Sequence, residues 1–248
     1  MSYLRIVPSE ILELIIYQLN NDDLKSVIQF DPSIKNVLRW PIVYSYHFGT
    51  YKDVNYDEYL KWLSLERLKE KLKLKYTLEE LINLQELDLS NNEVNVIPPE
   101  IGGLNNLLEL HLSDNQIKVI PPEIGKLNNL QYLWLSDNEV EVIPPEIGEL
   151  KSLQTLYLDG NEIKVIPSEI GELENLKELF LSNNQIKLIP PEIRELKNLQ
   201  YLNLINNQIS IIPLEIRELK NLQYLNLINN QISMIPDKLQ HMKNIIKI

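Results

Sequence analysis

The sequence contains no cysteine, and this absence excludes several kinds of chemistry at once. Such a chain forms no disulfide bonds, holds no metal ion through thiolates and has no cysteine nucleophile. The absence is consistent with a reducing compartment, so we expect the protein in the cytoplasm or the nucleus. No run approaches the roughly 18 apolar residues of a membrane-spanning helix, and no secretory signal is recognisable. We therefore expect no membrane partner.

Positive charge is scarce in the second part of the chain. Residues 84–248 carry 13 basic and 23 acidic side chains, and the whole chain has a net charge of −11. Nucleic acids bind to positively charged surfaces, so we expect no nucleic-acid partner. An acidic surface favours solubility, and we prefer this interpretation to a partner of matching basic charge.

What the sequence has in abundance is a repeat of 23 residues. Leucine or isoleucine recurs at this spacing from Leu84 to Ile245, giving seven complete units without insertion or deletion and a partial eighth. Each unit follows the pattern L-x-x-L-x-L-x-x-N-x-I/V-x-x-I-P-x-E-I-x-x-L-x-N/S, with minor departures. A fixed period of this length indicates a repeat architecture, in which each unit packs against its neighbours.

Two parts of the repeat predict local structure. The L-x-L segment alternates apolar and polar side chains, which is the periodicity of a strand, and stacked units make a parallel sheet. The I-P-x-E-I segment cannot be a regular helix throughout, because proline lacks the backbone donor and restrains the residue before it. We predict an extended or single-turn segment there, on the outer side of the repeats.

The pattern resembles the intracellular 23-residue class of the leucine-rich-repeat family, over about two-thirds of the chain. The resemblance implies an α/β fold, a solenoid whose parallel sheet curves into a horseshoe. It also implies a structural role for the asparagine that recurs once per unit, as at Asn138 and Asn161. We expect these side chains to bond the backbone where the chain turns, and not to bind a ligand.

In this fold the residues on either side of the central strand leucine point out of the curved sheet, and we call that surface the concave face. Its first column holds Glu86, Glu109, Tyr132, Thr155, Glu178, Tyr201 and Tyr224, and its second holds Asp88, His111, Trp134, Tyr157, Phe180, Asn203 and Asn226. The middle of the face is aromatic, which is typical of interface hot spots. The predicted partner-binding residues are Glu86, Asp88, Glu109, His111, Tyr132, Trp134, Tyr157, Phe180 and Tyr201.

The aromatic side chains have a second interpretation, because aromatic neighbours on adjacent strands also stabilise a sheet. We favour the binding of a protein partner, since the flanking leucines already supply the core. At the first end of the face, Glu86, Asp88 and Glu109 favour a basic contact.

Catalytic signatures are missing. The histidines, His47, His111 and His241, stand in no recognisable spacing with carboxylates, and no phosphate-binding loop, dinucleotide fingerprint or nucleophile elbow occurs. Asp88, His111 and Ser136 fall on adjacent predicted strands, but an open surface without oxyanion donors does not support hydrolysis. We predict no enzyme activity, no catalytic residue, no metal ion and no cofactor.

The first part of the chain has a different pattern, with three short amphipathic helices predicted in about 40 residues. Residues 4–28 resemble the F-box, whose pattern is roughly L-P-x-E-I-L, then a spaced I and L, then D-L. The resemblance implies docking on the Skp-type adaptor of a cullin–RING ubiquitin ligase. The docking residues would be Ile6, Pro8, Ile11, Leu12, Ile15 and Leu24. The cysteine and tryptophan common in the third F-box helix are missing, and the alternative is a helical cap for the solenoid.

These patterns divide the chain into an F-box-like module over 1–48, a helical linker and cap over 49–83, and leucine-rich repeats over 84–248. In the linker we predict a helix from Asn55 to about Lys71, and residues 77–80 form a capping-box sequence. The predicted function is the substrate receptor of an SCF-type ubiquitin ligase, acting in a host cytoplasm if an intracellular pathogen or virus encodes it. The alternative is a leucine-rich-repeat scaffold or signalling regulator. The oligomeric state stays open.

Overall fold

The structure is a computed structural model that describes residues 56–248, without the side chains of 56–60, 62 and 63. The described residues fall into two units, divided between Glu66 and Arg67. The predicted F-box-like module lies outside the described residues, as do its docking residues Ile6, Pro8, Ile11, Leu12, Ile15 and Leu24. The domain boundaries at 48 and 83 stay predictions.

Two helices precede the strands. Helix α1 spans Tyr56–Lys71, which confirms the predicted helix, and the lysines in its last turn suit the negative end of the helix dipole. Helix α2 spans Leu78–Ile82 and begins with the predicted capping box. Thr77 Oγ1 accepts a hydrogen bond from the Glu80 N–H at 3.2 Å, and the Glu80 carboxylate accepts one from the Thr77 N–H at 2.7 Å. No helix within 56–248 is both long and apolar enough to cross a bilayer.

The repeats build one parallel sheet whose eight strands follow one another in chain order. The strands are Glu86–Asp88 (β1), Glu109–His111 (β2), Tyr132–Trp134 (β3), Thr155–Tyr157 (β4), Glu178–Phe180 (β5), Tyr201–Asn203 (β6), Tyr224–Asn226 (β7) and Ile246–Lys247 (β8). From β1 to β7 each residue pairs with the residue 23 positions later, so Leu87 stands beside Leu110. The predicted parallel sheet and partial eighth strand are confirmed.

On the other side of each unit, the I-P-x-E-I segment forms a 3-10 turn, as the prolines predict. The turns are Pro99–Gly103, Pro122–Lys126, Pro145–Glu149, Ser168–Glu172, Pro191–Glu195, Leu214–Glu218 and Asp237–Met242. A proline precedes every turn with φ between −54° and −69°, the narrow range that its ring allows. Helix α2 occupies the equivalent place before β1, where the sequence has no proline, and it is α-helical.

The core lies between the sheet and the turns, and leucine and isoleucine fill it. In the third unit the core residues have at most 2% of their surface exposed: Leu130, Leu133, Leu135, Val140, Ile143, Ile147 and Leu150. No single unit could bury these side chains alone, so the core exists only because neighbouring units stack.

The recurring asparagines lie at the turn after each strand and bond the backbone, which confirms their predicted structural role. Asn138 Nδ2 donates to the carbonyl oxygens of Leu112, one unit earlier, and Leu135, at 2.9 and 3.2 Å. Its Oδ1 accepts a hydrogen bond from the Ile117 N–H at 3.0 Å. From Asn115 onward, each asparagine therefore ties its own unit to the one before.

The residue before each of these asparagines has a positive φ, between 54° and 64°. The residues in this column are Asn91, Asp114, Asp137, Gly160, Asn183, Asn206 and Asn229. Asparagine, aspartate and glycine adopt this conformation at least cost, which explains why only these residue types occur there. The sequence analysis missed this column, although its 23-residue spacing is visible in the sequence.

Candidate protein-recognition surface

The strand register places the two predicted columns side by side on one face of the sheet. Glu86, Glu109 and Tyr132 are direct neighbours in the first column, and Asp88 and His111 begin the second. The central leucine of each strand is buried, whereas the residues on either side reach the opposite surface. Thr155 in the first column and Asn226 in the second are exceptions, because each is only 5% exposed. The structure thus brings all nine predicted partner-binding residues onto one surface; their role in binding stays a prediction.

Four rings in the second column stack in a continuous row across β2–β5, and we call this row the aromatic ladder: His111, Trp134, Tyr157 and Phe180. Successive ring centroids are 3.9, 5.9 and 4.6 Å apart, and successive planes are inclined by only 8° to 9°. Tyr132 stacks beside Trp134 at 5.6 Å. Parallel strands stand about 4.8 Å apart, which places successive rings at stacking distance. The ladder is therefore both a cross-strand stabiliser and a preformed apolar surface.

The first end of the concave face is acidic. His111 Nε2 lies 3.5 Å from Glu109 Oε2 and 3.9 Å from Glu86 Oε1. Asp88 accepts a hydrogen bond from the Ser90 N–H at 2.9 Å, and this bond chiefly lowers the pKa of Asp88. Asp88 is thus ionised at neutral pH and bonded to Ser90, while His111 faces the two glutamates. Asp88 and His111 are therefore not hydrogen-bonded to each other as they would be in the Asp–His–Ser arrangement of a hydrolase.

A partly buried carboxylate, Asp159, follows strand β4 in the middle of the face. Asp159 Oδ1 accepts hydrogen bonds from the Ser182 N–H, at 2.8 Å, and from the Ser182 hydroxyl. Burial raises the pKa of Asp159 in spite of these bonds. Burial also raises the pKa of Tyr157, and the charges of Glu178 and Asp159 add to this effect. Tyr157 therefore stays a neutral phenol that can donate a hydrogen bond.

The last end of the face carries amides and no carboxylates. Asn203 and Asn226 occupy the second column there, next to Tyr201 and Tyr224. Asn226 Nδ2 donates to Tyr224 Oη at 2.7 Å. The concave face thus changes along the sheet from acidic, through aromatic, to neutral and polar.

A second surface was missed by the sequence analysis, and we call it the outer row. It consists of the apolar residue just before the isoleucine of each I-P segment: Val96, Val119, Val142, Val165, Leu188, Ile211 and Met234. Each of these residues is 63% to 71% exposed. A groove of about 760 Å³ lies along the row beside Val165 and Leu188, with Lys164 and Lys187 at its rim. The signal for this row was an apolar residue at every 23rd position outside the predicted core.

Family models match the same residues that build the sheet and its turns. One leucine-rich-repeat-region model matches residues 122–200, and a leucine-rich-repeat model matches residues 82–140 and 174–232. The repeat region of this chain belongs to the leucine-rich-repeat family. Leucine-rich-repeat folds typically serve as non-enzymatic scaffolds for protein recognition. The matched residues begin at 82, so these models do not support the F-box resemblance of residues 4–28.

Several solved structures of leucine-rich-repeat proteins resemble the chain. A leucine-rich-repeat protein of Leptospira interrogans is 43% identical with a TM-score of 0.64, over 68% of this chain and 44% of that one. The plant peptide hormone receptor RGFR1, solved in complex with RGF2, is 32% identical with a TM-score of 0.55, over 67% and 32%. An internalin of Listeria monocytogenes is 26% identical with a TM-score of 0.51, over 63% and 51%.

The chain spans about half the length of the internalin and less than half of the other two proteins. Among curated proteins, none matches this chain.

Proposed function

We propose that this leucine-rich-repeat protein recognises an extended segment of a protein partner on its concave face. The observation that carries the proposal is the aromatic ladder, whose rings are held parallel by the sheet before any partner arrives. Rigid aromatic surfaces contribute strongly to binding, because little conformational entropy is lost when they are covered. The resemblance to a peptide hormone receptor solved with its hormone supports this proposal.

The side chains of the concave face indicate which residue types the partner segment would contain. Glu86 and Asp88 favour a basic residue at one end, and the ladder favours apolar or aromatic side chains in the middle. The amide of Asn203 and the half-exposed ring of Tyr201 suit backbone or polar groups at the other end. The ladder crosses four strands, which is about 14 Å and the length of about four extended residues. The proposed partner segment therefore has a basic residue at one end, apolar or aromatic residues in the middle and polar groups at the other end.

We further propose that the chain is the substrate receptor of a cullin–RING ubiquitin ligase in the cytoplasm or nucleus. In this proposal residues 1–48 dock on the Skp-type adaptor, and the concave face holds the target protein. The support is the F-box-like pattern over residues 4–28, together with the recognition fold of the repeats. Ubiquitin transfer itself belongs to other subunits.

Binding of the full chain to a purified Skp-type adaptor tests the ligase proposal. We expect the wild type to form a stable complex in isothermal titration, and the Pro8→Ala/Leu12→Ala double variant to bind at least tenfold more weakly. Far-UV circular dichroism of both chains controls for folding. If the wild type does not bind the adaptor, the ligase proposal is wrong.

The alternative function is a scaffold or signalling regulator whose N-terminal helices only cap the solenoid. It is favoured by the family matches, which cover the repeats and not residues 1–81. The same full-length chain distinguishes the two functions in a pull-down from eukaryotic lysate. Partners that are lost with Trp134→Ala/Tyr157→Ala but retained with Pro8→Ala/Leu12→Ala, without adaptor or cullin, indicate a scaffold.

A further inference from the structure

Three side chains at the acidic end of the concave face converge on one point. Glu109 and His111 are two residues apart on β2, so they project from the same side of the sheet. Glu86 is the register partner of Glu109 on the neighbouring strand β1. Each of the three offers one ligand atom, and these atoms all lie within 4.8 Å of one another. We infer that Glu86, Glu109 and His111 form a binding site for one divalent transition-metal ion such as Zn²⁺.

The environment of the histidine nitrogen is the second observation behind this inference. His111 Nε2 is shielded from solvent and has no hydrogen-bond partner among residues 56–248. The ring is stacked on Trp134 at 3.9 Å, which fixes its plane while Nε2 faces the two glutamates. A shielded polar atom without a hydrogen bond requires an explanation, and a bound ion is one.

The distances fit a shared ion better than direct hydrogen bonds. Nε2 is 3.5 Å from Glu109 Oε2 and 3.9 Å from Glu86 Oε1, whereas an N–H···O hydrogen bond is typically about 2.9 Å long. Ligand atoms about 2.1 Å from a tetrahedral ion stand roughly 3.4 Å from each other. The side chains of Glu86 and Glu109 are 65% and 40% exposed, so both have room to adjust their positions around an ion.

The ligand set selects the class of ion. One imidazole nitrogen with two carboxylates suits Zn²⁺ and its neighbours in the first transition series, whereas Mg²⁺ and Ca²⁺ prefer oxygen ligands alone. The charge of a divalent ion also balances the two carboxylates. Three protein ligands leave one position of a tetrahedral ion open, on the solvent side, for water or for a donor group of a partner.

This site does not depend on the proposed partner, but it changes what the acidic end of the concave face accepts. With the ion bound, the two glutamates are neutralised, and a carboxylate or imidazole of the partner is favoured in place of a basic residue. The affinity for a given partner would therefore depend on whether zinc is bound.

Metal titration of the full-length chain, first dialysed against a chelator, tests the inference. With Zn²⁺ in isothermal titration we expect one saturable site per chain, and with Co²⁺ a visible absorption band from nitrogen and oxygen coordination. His111→Gln and the Glu86→Gln/Glu109→Gln double variant are expected to weaken Zn²⁺ binding at least tenfold. Urea denaturation of each variant shows that the sheet is intact.

Two matched variants show whether the effect is specific. Glu178 lies in the same column as Glu86 and Glu109 but has Phe180 in place of a histidine, and His241 lies in the last turn. Glu178→Gln and His241→Gln are expected to leave Zn²⁺ binding within twofold of the wild type. The inference is overturned if Zn²⁺ does not bind, if His111→Gln leaves binding unchanged, or if Mg²⁺ and Ca²⁺ bind as tightly as Zn²⁺.

Discussion

Asn161 Oδ1 accepts a hydrogen bond from the backbone N–H of Val140, 3.0 Å away and 21 residues earlier in the chain. The amide nitrogen of the same side chain donates to the carbonyl oxygens of Leu135 and Leu158, at 2.9 and 3.1 Å. Asn161 is only 7% exposed, so these backbone groups have little access to water. One side chain thus forms hydrogen bonds with backbone groups of two neighbouring units and links these units to each other.

Replacing Asn161 is expected to lower the stability of the fold. Asn161→Ala leaves the Val140 N–H without a partner, and a buried unsatisfied group costs about 1–3 kcal/mol. The carbonyl oxygens of Leu135 and Leu158 each keep one other amide donor, from Asn138 and Asn184. We therefore expect the free energy of unfolding, measured by urea denaturation, to fall by about 1–3 kcal/mol. Asn92 is the matched control, because it is exposed and its amide donates only to Ser90 O. An equal loss of stability in Asn92→Ala would contradict this account.

The column of positive φ angles gives a second prediction, at Asp114. Its φ is 56°, a conformation that a β-branched residue adopts only with strain. Asp114→Val is expected to lower the free energy of unfolding by about 1–2 kcal/mol, the cost of a left-handed conformation for a residue with a Cβ. Asp114→Gly removes the side chain without this strain, so we expect a change below about 0.5 kcal/mol. Thermal or urea unfolding of both variants would reveal a difference, and equal values would argue against backbone strain.

The ion pair between Lys71 and Glu100 gives a prediction about pH. Lys71 Nζ lies 2.6 and 2.8 Å from the two carboxylate oxygens of Glu100, whose side chain is 16% exposed. Burial alone would raise the pKa of Glu100, but the hydrogen bonds from Lys71 and its charge outweigh burial and lower that pKa below its ordinary value of 4.5. Because the folded pKa is depressed, ionised Glu100 stabilises the fold above pH 4.5, and this contribution is lost as the pH falls through the folded pKa.

Glu100→Gln is therefore expected to cost about 1 kcal/mol of unfolding free energy at pH 7, since Lys71 remains half exposed. The difference from the wild type should shrink below pH 4.5 and vanish in strong acid. Glu123 is the equivalent residue of the next unit and forms no salt bridge within 56–248, so Glu123→Gln serves as the control. A Glu100→Gln penalty that is the same at pH 7 and in strong acid would contradict the ion-pair account.

Much of the fold could be predicted because a constant spacing fixes the register. Once Leu87 and Leu110 occupy the same place in successive units, a repeat without insertions leaves no other pairing. The proline before each outer turn likewise excluded a regular helix. Helix α2 was predictable for a different reason, because the capping box at Thr77 begins a helix in a half-unit that lacks the proline.

The composition of the concave face was also predictable, because strand alternation determines which residues point outward. The stacking of its rings was not, since the orientation of each ring depends on side-chain rotamers. The same reason explains why the approach of His111 to Glu86 and Glu109 escaped the sequence analysis. The outer row was not predicted, because the I-P segment is neither a regular helix nor a strand, so no periodicity shows which of two adjacent apolar residues is exposed.

The most direct test of the central claim is selection of peptides on the immobilised full chain, followed by fluorescence-anisotropy titration of the selected peptides. We expect sequences with apolar or aromatic residues in the middle, bound at least about 30-fold more weakly by Trp134→Ala/Tyr157→Ala, as for loss of a hot spot worth about 2 kcal/mol. The Val142→Ser/Val165→Ser variant, which changes only the outer row, should bind within twofold of the wild type. Peptides whose affinity survives the ladder variant but is lost with the outer-row variant would show that recognition does not take place on the concave face.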